Sequence, residues 1–261
     1  MDALTALILG LIQGLTEFLP VSSSGHLELG KSILGIQGSE NLLFTVTVHG
    51  ATVLSTLVIF YKDILGLLKG LFAFRWNPET RFIAKLFLSM IPVAFLGVFF
   101  RDEVESYFTG NALFVGSMLL INSFVLALTS LVKSGLKMIP FMDALVIGIA
   151  QAVAVLPGIS RSGATISTGL LLRNRKDEVT RFSFLMVIIP ILGANFMDLM
   201  SGDLQNNTQV GGIPLLIGFL TAFLTGLFAC KWMIGIVRKG KLIWFALYCF
   251  IIGMVAIIWG G

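Results

Sequence analysis

GLIQGLTEFLPVSSSGH, from Gly10 to His26, and GIAQAVAVLPGISRSGA, from Gly148 to Ala164, decide how this chain is read. The two stretches repeat each other at a constant offset of 138 residues. Ala6, Leu7, Gly10, Gln13, Ser22, Ser24 and Gly25 recur as Ala144, Leu145, Gly148, Gln151, Ser160, Ser162 and Gly163. Each copy is an apolar run too short to cross a bilayer, which takes about 20 residues. Each ends at a proline, Pro20 or Pro157, passes through a Ser/Gly knot and enters a second short apolar run. An interrupted, duplicated unit of this kind predicts two re-entrant elements that meet inside a membrane.

The rest of the composition agrees. Of 261 residues, 56% are hydrophobic and 12% charged, with mean hydropathy +0.95, whereas soluble domains carry about a quarter charged residues. The expectation is a single all-α integral membrane domain over 1–261, with no polar stretch long enough for a soluble one. MDALTALILG lacks a basic flank, so the first run is expected to remain in the mature protein. Cys230 and Cys249 sit in apolar runs without a CxxC pattern and read as packing thiols.

Six runs are long enough to span: Leu42 to Phe60, Phe82 to Phe100, Ala112 to Val132, Thr180 to Met200, Ile213 to Val237 and Leu242 to Trp259. The two broken units run from Asp2 through Pro20 to Ile36 and from Phe141 through Pro157 to Leu172. If each unit enters and leaves on one side and both termini lie outside, 14 Lys and Arg fall in inner segments. Only Lys31 and Arg101 fall outside. That asymmetry obeys the positive-inside rule. The basic loops are then orientation signals, with anionic headgroups as secondary contacts, and they imply no nucleic-acid partner. Three spans separate the units, so the second dips in from the opposite face. The halves 1–132 and 139–261 become inverted repeats whose tips share a polar cavity near mid-membrane.

The reactive residues lie where the copies fail to match. Gln13 and Glu17, one helical turn apart, aim at one place. An ionisable residue at membrane depth costs several kcal/mol, about 2.5–3.5 on insertion scales, so Glu17 is a functional candidate. The competing reading has it cap the following loop. Ser22, Ser23 and Ser24 with Gly25 offer a nucleophile and a tight turn, although a lone SSS is more often loop punctuation. His26 titrates near neutrality and suits acid–base work. On the second copy, Arg161 lies among Ser160, Ser162, Gly163 and Thr165. Hydroxyls, glycine amides, a guanidinium and a helix start make an anion cradle. Simple pairing of Arg161 with Glu17 is the alternative, compatible with opening for an anionic substrate. Ser23 aligns with Arg161, Glu17 with Val155 and His26 with Ala164. The frame is shared and the workload divided, which places Ser23 and Arg161 within about 10 Å of each other, the reach of one phosphate between two hydrogen-bonding groups.

QGLTE (Gln13 to Glu17), the VSSSGH beyond it, and PGISRSGAT (Pro157 to Thr165) resemble the undecaprenyl diphosphate phosphatase family, the bacitracin-resistance proteins. The likeness covers essentially the whole chain. It implies hydrolysis of a polyprenyl diphosphate to the monophosphate lipid carrier of cell-wall synthesis, in the bacterial plasma (inner) membrane, with the site open to the outer face. By motif, Ser23 is then the nucleophile, Arg161 the diphosphate clamp, and Glu17 and His26 the acid–base groups. Ser22, Ser24, Gly25, Ser160, Ser162, Gly163 and Thr165 become phosphate contacts. The resemblance implies a divalent cation, magnesium or calcium, and no organic cofactor. Gln13 stands where the family pattern allows Glu, which removes one carboxylate and favours a hydrated ion bridging diphosphate oxygens. A homodimer is left open.

The rival reading is a lipid-phosphate flippase, which uses the same inverted repeats and broken helices. Away from the tips, His49 and Asn122 read as helix–helix hydrogen bonders, and Asn195 and Asp198 as cavity lining without a catalytic part. Asn206-Asn207-Thr208 fits a glycosylation sequon.

Overall fold

The computed structural model describes residues 1–33, 42–108, 111–133, 135–200 and 210–260. The sequon at 206–208 and the end of the first broken unit at Ile36 lie outside them, as does the side chain of Asp198. Thirteen α-helices run among the described residues: α1 (Ala3–Phe18), α2 (Ser23–Ile33), α3 (Leu42–Ile59), α4 (Tyr61–Leu71), α5 (Pro78–Phe99), α6 (Arg101–Glu105), α7 (Ala112–Leu128), α8 (Phe141–Val153), α9 (Arg161–Leu171), α10 (Lys176–Met186), α11 (Ile188–Met200), α12 (Gly212–Lys239) and α13 (Ile243–Gly260). Five stretches are long and apolar enough to cross a membrane, or six if the bent pair α3–α4 counts as one. The protein is an all-α integral membrane protein. Its exposed face carries large apolar side chains such as Phe87, Ile91, Phe124, Leu224 and Trp244, a surface that only lipid covers without cost.

Three departures from the sequence reading have local causes. The chain turns by 73° between α3 and α4, because Lys62, Asp63 and Lys69 cannot follow α3 along the membrane normal. Asn77 accepts the Thr80 amide at 2.8 Å and Pro78 takes the first helical position, so α5 starts before Phe82. The span expected from Thr180 starts at Lys176 and is interrupted at Val187 between α10 and α11. Pro190 supplies no N–H to the carbonyl of Met186 and crowds it.

Both broken units are helical hairpins. Helix α1 packs on α2 and α8 on α9, and α1, about 24 Å long, and α8, about 20 Å, fall short of a bilayer core. Each hairpin leans on the other half of the chain, α1 against α12 and α8 against α5. The matched glycines make both seats. A Cβ at Gly10 would meet the Gly218 carbonyl at 2.8 Å, and one at Gly148 would collide with the Ser89 backbone. Helix α7 crosses α13 with Gly116 against the Gly253 carbonyl and Gly253 against the Gly116 carbonyl. Contacts returned in this way mark a local two-fold relation.

The basic loops and ends assigned to one side come together at one end of the bundle. Asp63 pairs with Arg181 at 2.8 Å, Asp177 with Arg238 at 2.8 Å and Lys137 with Asp143 at 2.7 Å. Asn174 adds a 2.7 Å bond to Asp143.

Candidate active site

The two tips are built on one plan. Ser22 precedes α2 and its Oγ accepts the Gly25 amide at 3.2 Å. Ser160 precedes α9 and its Oγ accepts the Gly163 amide at 3.1 Å. Each serine thus caps its helix through a repeat-matched glycine. The tips also bind each other. The Gly158 amide donates to Ser22 Oγ at 3.1 Å, and Ser162 Oγ donates to the Leu19 carbonyl at 3.2 Å. A Cβ on Gly25 would sit 3.0 Å from Gly158 Cα, and Gly158 itself has φ +101°, a region that favours glycine. Asn122, from α7, clasps both tips: its Nδ2 donates to the Pro20 carbonyl at 2.9 Å and its Oδ1 accepts the Ser160 amide at 3.2 Å.

Ser23 and Arg161 are therefore the first residues of α2 and α9. First-turn amides have no partner within the helix, and both helix dipoles direct positive potential at the same spot. Between them stands the carboxylate of Glu17, the second-last residue of α1. Its Oε2 accepts the Ser23 hydroxyl at 2.6 Å and the Gln13 amide at 3.0 Å. Its Oε1 accepts Arg161 Nη2 at 3.2 Å. One carboxylate joins both tips, which keeps Ser23 Oγ and Arg161 Nη2 within about 8 Å. Three of the four residues singled out for chemistry, Ser23, Glu17 and Arg161, thus meet.

His26 stands apart from this trio. Its Nδ1 lies 2.8 Å from the Ser22 carbonyl and its Nε2 lies 2.8 Å from the Tyr248 hydroxyl. The residues expected as phosphate contacts carry structural bonds. Ser22, Gly25, Ser160 and Gly163 form the caps, Ser162 holds Leu19, and the Thr165 hydroxyl bonds the Arg161 carbonyl of its own helix at 2.9 Å. Ser24 has the loosest tie, a 3.4 Å contact with Ser22. Beside the Glu17–Arg161 pair lies a small cavity of about 20 Å³, room for a water-sized group, with Thr52, Thr56 and Ser183 in its lining.

A divalent cation held by protein alone does not fit these donors. Among the described residues no group of three or more His, Cys, Asp and Glu can ligate a metal. Glu17 is the one carboxylate at the tips, and both its oxygens are bonded. Among the described residues, the buried Oε1 of Gln13 and the Oγ of Ser183 are oxygens near the pair without a protein partner, and both are neutral.

Comparison with known proteins decides the lineage. The family described as "Bacitracin resistance protein BacA" matches residues 6–255. The chain belongs to the BacA family. Similar members of known sequence include the undecaprenyl-diphosphatase of Christiangramia forsetii, 54% identical over 260 residues, which covers 99% of this chain and 98% of that protein. That of Bacteroides fragilis strain ATCC 25285 is 54% identical over 262 residues, covering 99% and 98%. The more distant undecaprenyl-diphosphatase of Carboxydothermus hydrogenoformans is 41% identical over 265 residues, covering 99% and 97%.

Three residues around the tips either read from sequence only as helix–helix hydrogen bonders, as Asn122 and His49 do, or go unnamed, as Tyr248 does. Asn122 bonds a neighbouring helix as read, through Cys249 Sγ of α13 at 3.3 Å, and it also bonds both tip loops. Tyr248 had no motif to mark it. His49 binds the Thr45 carbonyl of its own helix at 2.9 Å. Only a polar residue inside an apolar span signalled Asn122 and His49. Asn195 bridges α11 to α3 through the Val46 carbonyl at 3.5 Å.

Proposed function

We propose that the protein hydrolyses a polyprenyl diphosphate, undecaprenyl diphosphate by the names of its relatives, to the monophosphate and inorganic phosphate. The Glu17 carboxylate, bonded to the Ser23 hydroxyl and to Arg161 at once, carries this reading. Glu17 Oε2 takes the Ser23 proton as Oγ attacks the terminal phosphorus. The Oγ–P bond forms, the bond to the bridging oxygen breaks, and polyprenyl monophosphate departs as a dianion. Water then attacks the phosphoserine, Glu17 returns its proton to Oγ, and phosphate leaves. Arg161 exchanges its resting partner Glu17 for the phosphoryl oxygens, joined by the first-turn amides of both helices. Ser22 and Ser160 hold the frame, Ser24 reaches the phosphate, and His26 takes the proton from the attacking water.

The reading includes opposite entry of the two hairpins, with halves 1–132 and 139–261 as inverted repeats, both termini outside and the site open to the outer face of the bacterial plasma membrane. The exchanged seats of α1 and α8 and the clustering of basic ends support it. A magnesium or calcium ion would arrive with the diphosphate, held by its oxygens and water. Chelator is then expected to slow phosphate release, while metal analysis of the substrate-free protein finds no stoichiometric ion. Tight resident metal would contradict that assignment. Any homodimer would form through the lipid-facing surface, away from the tips.

Phosphate release by purified protein in detergent is the first test. Ser23→Ala is expected to lose activity by about 10⁴-fold or more while still binding lipid diphosphate. Lipid movement across vesicles without phosphate release would instead indicate a flippase.

A further inference from the structure

His26 lies half-buried in the first turn of α2 with both ring nitrogens committed. A carbonyl oxygen only accepts, so the 2.8 Å contact to the Ser22 carbonyl puts a proton on Nδ1. In the neutral ring Nε2 is then the acceptor, and it faces the Tyr248 hydroxyl at 2.8 Å. Tyr248 comes from α13, 222 residues further along the chain. Its ring also stacks on the imidazole, with centroids 5.6 Å apart and planes 12° from parallel. One side chain therefore sets the plane of the ring and holds its working nitrogen.

The hydroxyl chemistry suits this task. A phenol donates to neutral imidazole and, by rotating its O–H, accepts from the Nε2–H of imidazolium. The O–H turns off the Nε2 lone pair while water delivers its proton there, and the phenol oxygen then accepts from Nε2–H. The pair therefore exists in both protonation states, which a carbonyl or an ammonium at that place would not allow. Phenylalanine would keep the stack and lose the bond. Tyr248 is 41% exposed, so its hydroxyl has room to turn. The hydrogen bonds of His26 run to Ser22 and Tyr248, whereas those of Ser23 and Glu17 run among themselves, Gln13 and Arg161. Two clusters thus serve one site, and the second is assembled by the last helix of the chain.

We propose that Tyr248 is a positioning residue for catalysis, fixing the tautomer and orientation of His26 from α13. The inference rests on the reading that His26 does acid–base work in phosphate release. Full-length wild-type, Tyr248→Phe, Tyr248→Leu, His26→Ala and His26→Ala/Tyr248→Phe proteins would be compared in detergent, with release of phosphate from a polyprenyl diphosphate as the readout. Tyr248→Phe is expected to lower kcat about tenfold, a part of the 10²–10⁴ that acid–base groups supply, with KM changed less than about twofold. His26→Ala should lose more, and adding Tyr248→Phe to it should change kcat no further. Wild-type kcat in Tyr248→Phe, with loss confined to Tyr248→Leu, would leave Tyr248 a packing ring and overturn the proposal. Losses that multiply in the double variant would overturn it as well, since Tyr248 would then act without His26. If His26→Ala itself kept wild-type kcat, the acid–base role of His26 would fall, and the positioning role with it.

Discussion

The first tip, Leu19 to Ser24, and the second, Pro157 to Ser162, share a cap and differ in the residue just after the capping serine. Ser22 and Ser160 each accept the amide of a matched glycine, and the next residue opens a helix. In the first tip that residue is Ser23, in the second Arg161. The same backbone position therefore presents a hydroxyl from one side and a guanidinium from the other, with Glu17 bound to both. The tips also differ in strain. Ser22 sits at φ 71°, in the left-handed region, while Ser160 has an ordinary φ of −78°. Ser22 also receives the Gly158 amide and passes its carbonyl to His26. Strain held by several bonds is found where a loop must be fixed for function. A duplicated frame supplies geometry, and chemistry enters through the positions that have diverged.

The comparison can be broken at the divergent positions first. Arg161→Ala removes the guanidinium from the second tip and strands Glu17, and kcat/KM for phosphate release should fall about 10³-fold. Arg161→Lys keeps the charge but not the fork and should recover only part of that loss. Glu17→Gln leaves the shape but neither accepts the Ser23 proton nor pairs with Arg161. Its kcat should drop about 10²-fold or more, accompanied by a lower Tm because a part-buried guanidinium loses its counter-charge. Near-wild-type activity in either variant would show that the joint carboxylate is structural.

Smaller effects test the shared frame. Asn122→Ala orphans polar groups on both tips and should destabilise the fold by about 1–3 kcal/mol, read as a Tm drop, with kcat falling alongside. Ser160→Ala removes one cap and should cost about 1 kcal/mol. Ser22→Ala removes an oxygen that serves two amides and should cost more than Ser160→Ala. Equal or reversed shifts would mean that the Gly158 bond adds nothing to the first tip.

Much of this was legible because the repeat writes its caps in sequence. Ser22 with Gly25 and Ser160 with Gly163 recur at a fixed offset, and Gln13 and Glu17 share a helical face. What those serines do was less legible. A hydroxyl beside a phosphate motif reads as a ligand, and its part in a cap, as Ser22 and Ser160 have, is set by the local backbone and not by residue type. Asn122 and Tyr248 lie 102 and 222 residues from their partners, and no local period can announce a contact made by the packing of α7 and α13. The bend after α3 and the break at Val187 were written in Lys62, Asp63 and Pro190, but an apolar-run count passes over single residues.

The central claim is that Ser23, not water, attacks the phosphorus while Arg161 holds it. The most direct test is mass spectrometry of the Ser23 peptide after rapid quenching of His26→Ala protein mixed with polyprenyl diphosphate. The account predicts one added phosphoryl group on Ser23, absent when Ser23→Ala is combined with His26→Ala. A variant that releases phosphate at a measurable rate with Ser23 unmodified at every quench time would contradict it.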